Sequence, residues 1–153
     1  MRQGFPLLCA LVLLAVPFPA QAAGTTSPET ALLRAMNQAR AQYGLAPLRF
    51  DGHLQRAAVA HSREMLASNE FVHGAFSSRL QRFKVSYSLA GENLAWATGD
   101  LANADALVNA WMASPEHRAN LLRSSFTRVG IGDLVGAFQG YDDAHVVTTD
   151  FAN

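Results

Sequence analysis

Apolar residues recur at helical spacing in the first polar-rich stretch of the chain, at Leu32, Leu33, Met36, Ala39 and Tyr43. Ser27-Pro28-Glu29 stands just before them as cap, first-turn proline and first-turn acid, and Gly44 closes the run. After an extended link at Pro47-Leu48-Arg49-Phe50, Asp51 caps a second helix carrying Leu54, Ala57, Ala58, His61, Met65 and Leu66, which ends near Ser68-Asn69. Residues 70–90 are less regular. Phe71-Val72-His73 and Phe76 predict a loop whose aromatics fold back on the core, and Arg79 to Phe83 a short helix. Leu107, Val108, Ala110, Trp111 and Met112 mark a further helix. Ser114-Pro115-Glu116 repeats the cap signal and opens a short one ending around Leu122. The period then changes, and Val129–Val135 and His145–Phe151 predict two strands about a Gly-Ala-Phe-Gln-Gly-Tyr-Asp-Asp turn region. Helices followed by strands indicate an α+β fold.

The N-terminus differs in kind. Arg2, an apolar run from Phe5 to Phe18 broken only by Pro6 and Pro17, and the small-x-small pattern Ala20-Gln21-Ala22 predict a cleavable secretory signal over residues 1–22. The apolar run is short for a bilayer span, which takes about 20 residues. The expected product is a secreted or periplasmic chain with one domain over 23–153, no membrane span and a monomeric state. Cys9, the only cysteine, leaves with the signal, so the mature chain has neither disulfide nor thiol nucleophile.

Composition removes several classes. The 153 residues are 50% hydrophobic and 16% charged, with 12 Lys+Arg against 12 Asp+Glu. A neutral chain lacks the concentrated basic face of a nucleic-acid binder, so no nucleic-acid partner is expected. The apolar content is too high for a disordered tail.

Five histidines, His53, His61, His73, His117 and His145, are the residues worth sorting. They form no H-E-x-x-H motif, and the chain has no G-x-S-x-G elbow, P-loop or dinucleotide fingerprint. Ser62, Ser86, Ser88 and Ser114 have no local base and orienting group around them. His61 reads as a satisfied, partly buried histidine on the apolar stripe, and His53 and His145 as surface residues. Trp96, Trp111, Phe71, Phe76 and Phe126 read as core.

Three segments stand out: Phe71-Val72-His73, Gly91-Glu92-Asn93-Leu94, and Trp111-Met112-Ala113-Ser114-Pro115-Glu116-His117-Arg118-Ala119-Asn120-Leu121-Leu122. Together with Asn37-Gln38-Ala39-Arg40 and Phe126-Thr127-Arg128-Val129-Gly130-Ile131-Gly132, they resemble the CAP superfamily. That group, also called the SCP domain, comprises cysteine-rich secretory, antigen 5 and pathogenesis-related proteins; the gaps are similar to its short, cysteine-free bacterial branch. The resemblance implies a three-layer α-β-α sandwich with a small antiparallel sheet between helices, and a cleft faced by two histidines and two glutamates. His73, Glu92 and His117 match three of these, while Ser114 stands at the second glutamate. Zinc is the cofactor the resemblance suggests, held by His73, Glu92 and His117 with a fourth position open to water. Glu116 is expected to complement the helix dipole instead, since adjacent helical residues point about 100° apart. Arg118 is expected to face solvent or pair with an acid, and Asn93 to close a turn after Glu92. Family ligands are lipids or sterols, metal ions and partner proteins. The leading expectation is an extracytoplasmic binding module with a His/Glu-lined cleft; the alternative is a zinc-dependent hydrolase using the same three residues.

Overall fold

The computed structural model describes residues 26–153. The expected signal segment lies outside the described residues. Helix α1, Pro28–Gln42, begins where the Ser27 hydroxyl accepts the Thr30 N–H, and it gives way to Gly44 at φ 67°. Strand β1 is only Arg49–Phe50. Helix α2, Gly52–Ser68, is capped by the Asp51 carboxylate, which accepts the His53 and Leu54 N–H groups, and Asn69 ends it in the left-handed conformation at φ 56°. Helix α3 covers Phe76–Arg82, strand β2 Ala90–Ala97, and a 3-10 turn Gly99–Ala102. Helices α4, Ala104–Ala113, and α5, Pro115–Leu121, meet at Ser114. Strands β3, Arg128–Phe138, and β4, Tyr141–Ala152, complete the chain.

The sheet order is β1-β3-β4-β2, with β1 parallel to β3 and the other pairs antiparallel. The last two strands are longer than the apolar alternation indicates. Only Gln139-Gly140 turns the chain, both at positive φ (52° and 88°), which is the geometry of a tight two-residue hairpin. The polar and glycine residues on either side stay in the ladder, past an irregularity between Gly136 and Phe138. Strands β1 and β2 carry no apolar alternation of their own. In β2 the polar Glu92 and Asn93 are both buried, one on each face, which erases the period-2 signal.

Helices α1, α4 and α5 cover one face, packing Met36, Trp111 and Leu121 against Val129, Ile131, Val147 and Phe151. Helices α2 and α3 cover the other, through Leu54, Met65 and Leu80. The result is the expected α+β sandwich of three layers. Two motif residues prove to be structural. The Asn37 amide donates to the Leu48 carbonyl and accepts its N–H (3.0 and 2.8 Å). Arg40, fully buried without a carboxylate, donates to the Ala46, Leu121, Arg123 and Phe126 carbonyls at 2.8–3.1 Å, closing the loop ahead of β3.

Candidate functional site

Strand β2 is a sheet edge, and its outward carbonyls would be left bare were they not met by side chains. The Asn120 amide donates to the Glu92 carbonyl and the Trp111 indole N–H to that of Leu94, both at 3.0 Å. Asn93 lies within the strand, not in a turn. Its amide donates to the His117 carbonyl at 2.9 Å, and its side-chain oxygen accepts from Asn120 at 3.0 Å. Gly91-Glu92-Asn93 is thus bolted to α5, which fixes His117 relative to Glu92. Gly91 permits this approach, since a Cβ there would stand 2.9 Å from the Asn120 side chain.

Glu92 points to the opposite face, beneath α2 and α3. The His73 Nδ1 stands 2.7 Å from its Oε1, and the Arg79 guanidinium, from α3, pairs directly with its Oε2. Arg79 also donates to the His73 carbonyl at 3.3 Å, tying down the loop that carries the histidine. Asp150 is the direct cross-strand partner of Glu92, fully buried, with Oδ1 3.6 Å from the guanidinium. His61, from α2, donates from Nε2 to the Val72 carbonyl at 2.8 Å and lies 4.0 Å from Glu92. It is buried on the stripe as expected, but only Nε2 is satisfied: Nδ1 has no hydrogen-bond partner among the described residues, and its place in this cluster does not follow from the apolar stripe alone. Arg79 and Asp150 were legible only weakly: an acid inside the run Val146-Val147-Thr148-Thr149-Asp150-Phe151 is the one sequence signal of a buried charge partner.

Two acids facing one guanidinium cannot both ionise cheaply in a buried site. Burial pushes Glu92 up to about 7 against the pull of Arg79. Burial, then the negative charge of Glu92, push Asp150 well above the carboxylate range, so Asp150 is the member that keeps its proton at neutral pH. Burial and the charge of Arg79 hold His61 low, in its neutral form.

At the junction of α4 and α5, the His117 Nδ1 and the Ser114 hydroxyl are 2.9 Å apart. The Ser114 hydroxyl therefore makes no bond to the α5 N-terminus it precedes. Burial lowers His117, and the neighbouring His73 adds to the shift. The four motif positions thus form two hydrogen-bonded pairs, His73–Glu92 and His117–Ser114. They do not fit a three-ligand zinc centre: both Glu92 oxygens are committed, one to a cation of the protein itself. Among the described residues no group of three His, Asp, Glu or Cys is arranged for a metal.

Beside His117 and Ser114 runs an apolar groove of about 460 Å³, lined by Phe71, Leu94, Trp96, Leu101 and Trp111 among others. Phe71 corrects the core expectation: it is 42% exposed and forms a groove wall, as does Leu101 at 71%. Trp96 is half-buried, packed edge-on against Phe138, whereas Trp111 and Phe126 are core as expected. Arg118 is exposed, as expected, and packs on Tyr43 through the hydroxyl at 3.0 Å and the ring face. His53 is exposed, as expected, with its Nδ1 2.8 Å from the Phe83 carbonyl, whereas His145 is half-buried and held 2.8 Å from the Asp133 carboxylate. Glu116 is exposed, away from the cleft pairs.

The family profile described as CAP, cysteine-rich secretory protein family, matches residues 33–151. The chain belongs to the CAP family. The uncharacterized membrane protein YlbC and the uncharacterized protein YkwD of Bacillus subtilis are 34% and 35% identical to it, over 70% and 68% of this chain. This CAP chain spans only 32% and 41% of their lengths. A solved extracellular protein of Bacillus anthracis containing an SCP domain aligns with a TM-score of 0.67 and 29% identity, over 86% of this chain and 45% of the other. The CAP fold seen here is therefore that of the bacterial SCP domain. Among its described residues no helix is long and apolar enough to cross a membrane.

Proposed function

We propose that this CAP domain is an extracytoplasmic binding module for a small amphipathic molecule. One observation carries the reading: the lining of the apolar groove includes the His117–Ser114 pair, so an apolar body and a polar head have adjacent places. Ligand sites of this kind are mostly apolar with a few convergent polar groups. The groove walls Phe71 and Leu101 are exposed although apolar, a cost that an apolar occupant would relieve. The secreted or periplasmic location is supported by the N-terminal signal pattern and by the extracellular relative of B. anthracis.

The test is a titration of the purified chain with a dansyl-labelled undecanoic acid, followed by fluorescence. Saturable binding is expected, weakened about tenfold or more, or about 1.4 kcal/mol, by Leu101→Asp in the groove wall. A second loss is expected on His117→Ala at the polar end. Failure to saturate, or equal binding by all three proteins, overturns the reading.

A further inference from the structure

The cleft pairs raise a question the family motif does not answer: what holds Glu92, and through it His73, in place. The strand register sets Glu92 directly opposite Asp150 across β2 and β4, where like charges destabilise. On the other side of Asp150 the register places Gly130, which brings no side chain to compensate. Among the described residues the cation facing the two acids is Arg79, brought from α3 and itself 5% exposed. The other groups packed around them are His61 from α2, held in its neutral form by burial and the Arg79 charge, and His73 from the loop ahead of α3. Glu64, on α2, is half-exposed and is turned to Arg82.

We propose that Arg79 and Asp150 are positioning residues of the cleft. The Arg79 guanidinium is its resident cation, standing where a divalent ion would otherwise neutralise Glu92. It holds the carboxylate so that His73 keeps its proton on Nδ1 and leaves Nε2 bare. The chemistry follows from donor and acceptor counting. An ionised carboxylate only accepts, so the nitrogen 2.7 Å from it must donate. A neutral imidazole carries one proton, so Nε2, away from the carboxylate on a ring 61% exposed, is an acceptor. Asp150 supports the arrangement as the second acid: opposite Glu92 across the strands, with its Oδ1 3.6 Å from the same guanidinium, it holds Arg79 between the two side chains. The cleft then selects a ligand head with a hydrogen-bond donor, such as a hydroxyl group. This last step rests on the binding reading above, whereas the tautomer of His73 does not.

The experiment reads His73 itself. Long-range proton–nitrogen NMR on the nitrogen-15-labelled chain, at about pH 8 where an ordinary imidazole is neutral, reports which ring nitrogen bears the proton. The expected result is protonated Nδ1 in the wild type and in Arg79→Lys, with Nε2–H appearing in Arg79→Met. Protonated Nε2 in the wild type overturns the proposal whether or not any variant folds. So does a folded Arg79→Met whose His73 is unchanged. Calorimetry with zinc chloride adds an independent arm: Glu92→Gln should leave zinc uptake unaltered, because Glu92 is already committed. A drop of about tenfold or more in zinc affinity on Glu92→Gln would show Glu92 acting as a ligand and overturn the proposal. Loss of amphiphile binding with the Nδ1–H tautomer intact would strike the binding reading alone.

Discussion

Gly132 lies where β3 passes under α2, and Gly132→Ala tests how that contact supports the cleft. A Cβ at Gly132 would stand 2.6 Å from the Ala58 carbonyl carbon and oxygen and 2.7 Å from the Val59 Cα. Ordinary contacts between carbon atoms are about 3.5–4.0 Å, so the helix must retreat by about 1 Å. The obstacle is backbone, which no rotamer change removes. The retreat also stretches the bonds from the Ser62 hydroxyl to the Gly132 carbonyl and the Thr148 hydroxyl, both 2.9 Å, inside the core. Overpacking typically costs about 1–3 kcal/mol and each buried hydrogen bond about 1 kcal/mol, so a loss of about 3–4 kcal/mol is expected. Urea unfolding followed by circular dichroism measures it as a lower midpoint with an unchanged slope. Gly136→Ala is the control. It sits on the same strand and face, but its Cβ would meet only the flexible Leu66 side chain at 3.3 Å, and a loss below about 1 kcal/mol is expected. Because α2 carries His61, which holds the Val72 carbonyl next to His73, the Gly132 variant should also shift the His73 ring signals. Equal costs for the two variants, or a Gly132→Ala cost below about 1 kcal/mol, would refute the described docking of α2 on β3.

Arg40→Met removes four donors from buried carbonyls and should cost about 3 kcal/mol or more in the same urea assay, while leaving the slope unchanged. Glu92 titrates near 7 in the folded chain against 4.5 as its ordinary value, so the folded state holds the extra proton between those limits. That contribution is fully present below about pH 4.5 and fades as pH rises through about 7, at a total of about 3 kcal/mol. Wild type should therefore lose stability over that window relative to Glu92→Gln, and parallel pH profiles of the two would contradict the assignment. Phe71→Ser, in an exposed groove wall, should change the urea midpoint by no more than about 0.5 kcal/mol in stability yet weaken binding of the dansyl acid. A variant that binds as wild type does would show that the groove wall is not used.

The helices were legible because their signals are local. Ser27, Asp51 and Ser114 each stand one residue before a helix, and the apolar stripes of α1, α2 and α4 point to the same faces that are buried. Strand β2 was not legible, since a strand that buries Glu92 on one face and Asn93 on the other has no apolar period to read. Phe71 misled for a related reason: side-chain chemistry says that an aromatic can be buried, and only the path of the loop decides that it lines a groove. The motif order brought His73 beside Glu92 and His117 beside Ser114, but Arg79 and Asp150 reach the cleft by chain-distant packing and strand register.

The position of β4 sets the order in which the domain can assemble. Strands β2 and β3 do not touch; each pairs only with β4 on its facing side, so the sheet stays in two parts until residues 141–152 have emerged. The β3–β4 hairpin can close quickly through its two-residue turn, but pairing Ala90 with Ala152 joins residues 62 positions apart and is the slow, entropically expensive step. A nascent chain therefore exposes both edges of the future sheet, because Glu92 meets Asp150 only when β4 docks. Site and fold are completed by the same late event, so a binding-competent chain is also one that has finished folding.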